Sequence, residues 1–202
     1  MNLGNNSLGK DELRIQCRRY RETLDDSRYE ELSSAIVGQV LQSSVFDEAE
    51  VIHIYWPITE RREVDTRPLI AALHEAGKQL VVPVCDPTAD PSAGRMLYRV
   101  FAGSDKMQKN VWGTYEPLAS PAVPPPRIDL VIAPALAVDR HGYRLGYGGG
   151  FYDRFLKDAD CATLSLVYSQ CLFDLVPHDL FDVPVGLIVT EDEMVRVGTS
   201  AT

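Results

Sequence analysis

The residues best suited to chemistry lie in one run, Arg144-Leu145-Gly146-Tyr147-Gly148-Gly149-Gly150-Phe151-Tyr152-Asp153-Arg154. Four of them are glycines placed directly before a predicted helix. Glycine tolerates positive φ and lets backbone amides approach an anion closely. Free amides at a helix start then favour a phosphate. Arg144 and Arg154 flank the loop and can add charge-assisted hydrogen bonds. Asp153, in the first helical turn, can hold a Mg²⁺ ion that bridges phosphate oxygens. A blander reading stands beside this one: a flexible turn whose acid complements the helix dipole. The two common phosphate fingerprints do not fit. A dinucleotide motif begun at Gly146 needs glycine where Phe151 stands, and the Gly-Lys-Ser/Thr of a Walker loop is absent. The residues taken alone point to an anion loop and no further.

That loop must be carried by a scaffold, and the rest of the chain predicts one. Helical spacing runs from Lys10 to Leu24, with Leu13, Cys17 and Tyr20 on one side. A second helix is expected from Ser27, where Ser27 and Glu30 form a capping-box pattern. Val51 to Trp56 reads as a buried strand. Thr66 can cap a third helix, with Pro68 in its first turn and Gly77 as its stop. Strands are expected at Gln79–Cys85, Met96–Phe101, Asp129–Pro134, Leu164–Tyr168 and Val185–Thr190, with a small last one at Met194–Val197. A short helix is expected from Phe151 to Ala159. The five prolines within residues 117–127 read as a rigid surface connection. Strands separated by helices imply an α/β sandwich with a largely parallel sheet. Such sheets bind ligands at the carboxyl ends of their strands, so the loops after Trp56, Pro134 and Tyr168 are the places to look.

The chain's 202 residues are enough for one sizeable core. We expect a flexible start over residues 1–8 and a single domain over 9–198. A net charge of −9 argues against nucleic acid as a partner. No apolar run is long enough for a membrane span. Cys17, Cys85, Cys161 and Cys171 lack the close pairing of a zinc site, and inert thiols in a reducing cytoplasm are expected.

The stretch from Ala133 to Arg154 resembles the signature of the 5-formyltetrahydrofolate cyclo-ligases, also called methenyltetrahydrofolate synthetases. Their pattern is an apolar strand, Pro, a small and apolar pair, Asp, Gly, Arg-Leu-Gly, a glycine-rich triplet and aromatic-Tyr-Asp-Arg. The resemblance extends over nearly the whole chain. Lys10 and Arg14 match an N-terminal Lys-x-x-x-Arg, and Glu63-Val64-Asp65-Thr66 matches a segment after the first strand. Gly77-Lys78, Pro83, Met96 with Tyr98, Glu116-Pro117, Gln170 and His178-Asp179 fit further points.

The resemblance implies a reaction: 5-formyltetrahydrofolate and MgATP give 5,10-methenyltetrahydrofolate, ADP and phosphate. The formyl oxygen attacks the γ-phosphate, and the folate's own amine then closes the ring and expels phosphate. It implies a three-layer α/β/α sandwich similar to ribose-5-phosphate isomerase and CoA-transferase domains. Lys10 and Arg14 become ATP contacts, with the loop from Arg144 to Tyr152 and Arg154. The span from Tyr147 to Tyr152 also touches the folate. Arg144, Tyr152 and Asp153 take catalytic roles, and Asp153 takes the Mg²⁺. Glu63 is the candidate to bind the pterin, since a carboxylate can accept two parallel N–H bonds. Ile58 supplies an apolar wall, and Trp112 and Tyr152 can stack on a flat ring. Met96 and Tyr98 divide evenly between core and pocket wall, and His178 reads as structural. Two positions depart from the pattern. Tyr147 stands where many relatives are basic, and Gly186 where many carry an acid that helps the metal; Asp182 or Asp192 can substitute. The expected partners are small molecules, with the folate in a free or polyglutamylated form. The expected setting is a cytoplasmic monomer. The rival reading is a non-catalytic folate- or nucleotide-binding module on the same fold.

Overall fold

The structure is a computed structural model and describes residues 8–85, 96–103, 106–110, 113–117 and 127–198. In chain order its helices are α1 (Lys10–Glu22), α2 (Asp26–Leu41), α3 (Arg67–Glu75) and α4 (Phe151–Lys157). Its strands are β1 (Val51–Ile54), β2 (Gln79–Cys85), β3 (Met96–Val100), β4 (Met107–Lys109), β5 (Tyr115–Pro117) and β6 (Leu130–Pro134), followed by β7 (Ala137–Asp139), β8 (Arg144–Leu145), β9 (Ala162–Leu166), β10 (Leu172–Phe173), β11 (Leu187–Val189) and β12 (Met194–Arg196). Among the described residues, seven strands form one sheet in the order β12-β11-β9-β6-β1-β2-β3. The inner pairs β2–β1, β1–β6, β6–β9 and β9–β11 are parallel, and the edge strands β3 and β12 run antiparallel. The expected α/β class with a largely parallel sheet therefore holds.

Alternation along the strands divides the core in two. Ile52 and Ile54 of β1, with Ile132 and Leu164, face α2 and α3. Val131 and Ala133 of β6 face α1 and α4 on the other side, together with Leu13, Cys17 and Leu156. A strand buried on both faces reads as a continuous apolar run, as Leu130–Pro134 does. From β1 the chain steps outward to β2 in one direction. From β6 it steps outward to β9 and β11 in the other. The β1/β6 boundary is thus the switch point where loops from the two halves diverge and leave a crevice.

Several local expectations change. The second helix starts at Asp26, with Asp25 as its cap accepting from Arg28 N at 2.8 Å; the Ser27–Glu30 box does not form. Thr66 does not cap α3 through its side chain. Its hydroxyl donates to Tyr55 O at 2.8 Å and ties the loop after β1 to the helix start. The inward stripe of α1 is Leu13, Cys17 and Arg21, at steps of four, while Tyr20 is only half-buried. β1 ends at Ile54, two residues earlier than expected. The short strands β7, β8 and β10 were not legible and form a small sheet of their own, order β10-β7-β8. The expected frayed start lies outside the described residues except for Leu8, and so does most of the proline-rich connection.

Candidate active site

A cavity of about 730 Å³ opens at the switch point, a size typical of small-molecule sites. Its walls come from the start of α1, the loop after β1, the turn after β6 and the run from β8 into α4. Lys10, Arg14, Ile58, Glu63 and every residue from Arg144 to Asp153 line it. The sequence had scattered these positions over more than a hundred residues, and the fold brings them together. The turn after β6 enters through Pro134, Ala135 and Leu136, as expected. The loop after Tyr168 does not; Asp179 and Asp182, further along, close that side.

Arg144 is anchored by the small β10-β7-β8 sheet, which holds its backbone against Val138. The connecting turn is kept tight by Gly142, whose carbonyl accepts from Val185 N at 2.9 Å. The Arg144 side chain is 3% exposed. Its Nη1 donates to Asp153 Oδ1 at 2.8 Å and to Val183 O at 3.2 Å. Its Nε and Nη2 are buried and meet no hydrogen-bond partner among the described residues. Burial lowers its pKa below the usual arginine value, against the pull of Asp153. Buried guanidinium donors without an acceptor are costly, and a buried positive charge on a cavity wall favours an anion there.

Asp153 Oδ1 also accepts from Val183 N at 3.3 Å. Arg144 and a backbone amide thus hold this carboxylate in place on the cavity wall. Arg14 crosses from α1 to donate to Gly146 O at 3.0 Å, fixing the glycine loop against the helix. Lys10, one helical turn earlier, donates to Asp179 Oδ2 at 2.6 Å and Asp182 Oδ2 at 2.7 Å. Partial burial works against its charge, but the two carboxylates more than offset this and raise its pKa. Arg154 does not line the cavity: its Nη2 donates back to Gly149 O at 2.9 Å. Helix α4 has seven residues, so its dipole is modest, and the charged side chains carry more of the field.

On the opposite wall, Glu63 is 5% exposed although it follows Arg61 and Arg62 in an apparently surface run. Ile58 N donates to its Oε2 at 2.8 Å and Tyr147 Oη to its Oε1 at 2.8 Å. Ile58 is itself buried beside it and lines the cavity. Met96 lines the cavity, whereas Tyr98 is half-buried and meets the His53 ring edge-on at 5.6 Å. Tyr152 lines the cavity and meets His53 from the other side at 5.7 Å. Burial drives the His53 pKa down to about 3. His178 stacks on Tyr143 at 3.6 Å, a structural contact. Trp112 lies outside the described residues.

Sequence reasoning missed Arg21. It is 3% exposed, and its Nη2 donates to Ala135 O at 2.6 Å, bracing the turn that forms part of the cavity wall. Only its step of four from Leu13 and Cys17 marked it, and its charge argued against burial.

Residues 6–191 match the 5-formyltetrahydrofolate cyclo-ligase family. The chain is similar to the 5-formyltetrahydrofolate cyclo-ligase of Escherichia coli strain K12, 35% identical over 137 residues, which is 65% of this chain and 74% of that protein. It is 25% identical to the Haemophilus influenzae protein of that name over 185 residues, 89% and 96% of the two chains. In structure it is similar to the 5,10-methenyltetrahydrofolate synthetase of Aquifex aeolicus, with a TM-score of 0.79 and 27% identity, covering 96% and 95% of the two chains.

Proposed function

This chain belongs to the 5-formyltetrahydrofolate cyclo-ligase family and is a ligase of folate one-carbon chemistry, and from that premise we propose how its cavity carries out the reaction. The substrates are 5-formyltetrahydrofolate and ATP, and the products are 5,10-methenyltetrahydrofolate, ADP and phosphate. The observation that carries the reading is Arg144, a buried cation on the cavity wall with two donors that no described residue satisfies.

The formyl oxygen of an amide is a poor leaving group. Phosphorylating it converts the C–O bond into one that breaks with loss of phosphate. The oxygen attacks the γ-phosphorus and ADP departs. The neighbouring secondary amine of the folate then adds to the activated carbon, gives up its proton, and phosphate leaves as the new C–N bond becomes part of the ring. Little of this needs a side chain to form a bond; positioning and charge stabilisation dominate phosphoryl transfer.

The walls of the cavity divide accordingly. Arg144 lends its positive charge to the phosphate oxygens from the cavity wall, where low surrounding polarity strengthens the attraction. Lys10 and Arg14 supply further positive charge from α1, with Lys10 released from Asp179 and Asp182 as phosphate arrives. The backbone of Leu145 to Phe151 follows the polyphosphate chain. Glu63 grips the N–H edge of the pterin opposite, with Ile58 and Tyr152 against its faces.

The donor set also fits a magnesium ion. Asp153 sits on the cavity wall with Oδ1 fixed by Arg144 and Val183 N, and Mg²⁺ needs only one or two carboxylates when phosphates complete its shell. Bound there, it would neutralise charge on the phosphate oxygens. We read the sheet and its two helical layers as the sandwich shared by ribose-5-phosphate isomerase and CoA-transferase domains, and the working unit as a cytoplasmic monomer.

The test is direct. The purified chain, given 5-formyltetrahydrofolate, ATP and Mg²⁺, should generate the absorbance of the methenyl product, and none when ATP is omitted. Nucleotide binding without product would leave a binding module and end the catalytic reading.

A further inference from the structure

We propose that Tyr147 is a displaceable latch on the folate half of the cavity: in the empty protein its hydroxyl occupies the carboxylate of Glu63, and the substrate must evict it to bind. This rests on Glu63 as the folate anchor, as read above.

Both oxygens of Glu63 are engaged, but not equivalently. The Ile58 N–H is a backbone donor only five residues away, buried with the carboxylate it serves. The Tyr147 hydroxyl comes from the far wall, 84 residues along the chain. It takes the oxygen that a second parallel N–H from a ring edge would need. A phenol on a carboxylate is a neutral donor in the place of a neutral N–H donor, so it stands in for the ligand.

The tyrosine is held in a way that permits release. Its residue is 42% exposed although its hydroxyl end points at buried Glu63. The ring lies beside the guanidinium groups of Arg61 at 5.0 Å and Arg18 at 5.9 Å, and Arg61 also reaches its hydroxyl; such cation–ring contacts are worth little at an exposed site. Its chain neighbours are Gly146 and Gly148. Gly148 has φ of 101°, a conformation that glycine alone adopts readily. A side chain built at Gly146 would meet nothing within 4 Å. Burial, then the Glu63 carboxylate, push the Tyr147 pKa up to about 12, so the hydroxyl remains a donor throughout the neutral range.

A self-ligand of this kind reduces apparent affinity by the fraction of molecules it keeps closed. Removing its hydroxyl should therefore tighten folate binding. A structural role or a direct substrate contact predicts the reverse. The experiment is calorimetric titration of the full chain with 5-formyltetrahydrofolate in the absence of ATP, for the wild type, Tyr147→Phe, Glu63→Met and the double variant, each checked for its thermal midpoint. Methionine fills the space of Glu63 without an oxygen for the Tyr147 hydroxyl. Tyr147→Phe should bind on the order of fivefold more tightly, the effect of one net hydrogen bond. Glu63→Met should bind more weakly, and adding Tyr147→Phe to it should change nothing further. Unchanged or weaker binding by Tyr147→Phe, with Glu63→Met still impaired, removes the latch and leaves the anchor. Tightening that persists in the double variant also removes it, since the effect then bypasses Glu63. Undiminished binding by Glu63→Met removes the anchor and the latch together.

Discussion

At the scale of single residues, the cavity is an argument about where charge is buried. Arg144 and Asp153 form a pair at 2.8 Å with the arginine nearly inaccessible. Such pairs contribute little net stability but suffer badly when broken. Asp153→Asn keeps the shape and removes the charge. It should lower kcat by roughly a hundredfold or more, the scale of losing one preorganised electrostatic group, with a circular dichroism spectrum like the wild type. Arg144→Ala should raise KM for ATP as well as lowering kcat. Unchanged steady-state constants in both variants would remove them from the site. His53 makes a separate prediction. With a pKa near 3 in the folded chain against an ordinary 6.5, it is the unfolded chain that takes up a proton first as pH falls. Stability is therefore complete above pH 6.5 and declines as pH falls towards 3. The loss attributable to this group is a few kcal/mol at the acid end. Denaturant unfolding between these limits should show the slope in the wild type and a flatter one in His53→Phe. Equal slopes would mean that His53 is protonated within the fold.

At the scale of elements, the precision of the site comes from short pieces that few sequence signals mark. The β7–β8 hairpin sets Arg144, and Gly142 sets the hairpin. A Cβ at Gly142 would lie 2.3 Å from Val185 O, and its φ is 89°. Gly142→Ala should therefore destabilise by about 2–4 kcal/mol, combining left-handed strain with a backbone clash; a change under about 0.5 kcal/mol in denaturant unfolding would show that the hairpin gives way freely. Long elements were legible because their signals repeat. Val51–Ile54, Gln79–Cys85 and Leu130–Pro134 are apolar runs that only a buried strand explains, and α1 and α2 carry helical spacing over three turns or more. Two-residue strands such as Arg144–Leu145 have no period to read. The cap of α2 was misplaced by two residues because Asp25 and Ser27 offer the same chemistry, and only the packed chain chooses between them.

At the scale of the whole molecule, the fold does what no single segment could. The chain carries net charge −9, an unfavourable field for a triphosphate, yet Lys10, Arg14 and Arg144 converge on one crevice from elements more than a hundred residues apart. The switch between β1 and β6 places that crevice; the expected parallel sheet pointed to the loops after Trp56 and Pro134, but the strand order that makes the switch had no signal in the sequence. The glycine run with its flanking arginine and aspartate suggested an anion loop from residue types, beside the plainer reading of a flexible turn, and the family resemblance supplied the reaction. What stayed hidden was burial against type: Arg21 sits in a charged helical stretch whose arginines read as the polar side, and only the closed structure shows it inside. Buried charge is tolerated where a backbone group braces it, as Ile58 N does Glu63 and Ala135 O does Arg21. The central claim is that this crevice activates the formyl oxygen by phosphorylating it. It is tested most directly by supplying substrate whose formyl oxygen carries a heavy isotope and locating that isotope by mass spectrometry after one turnover. The account predicts the label in inorganic phosphate. Label released in water instead, with phosphate unlabelled, would contradict it.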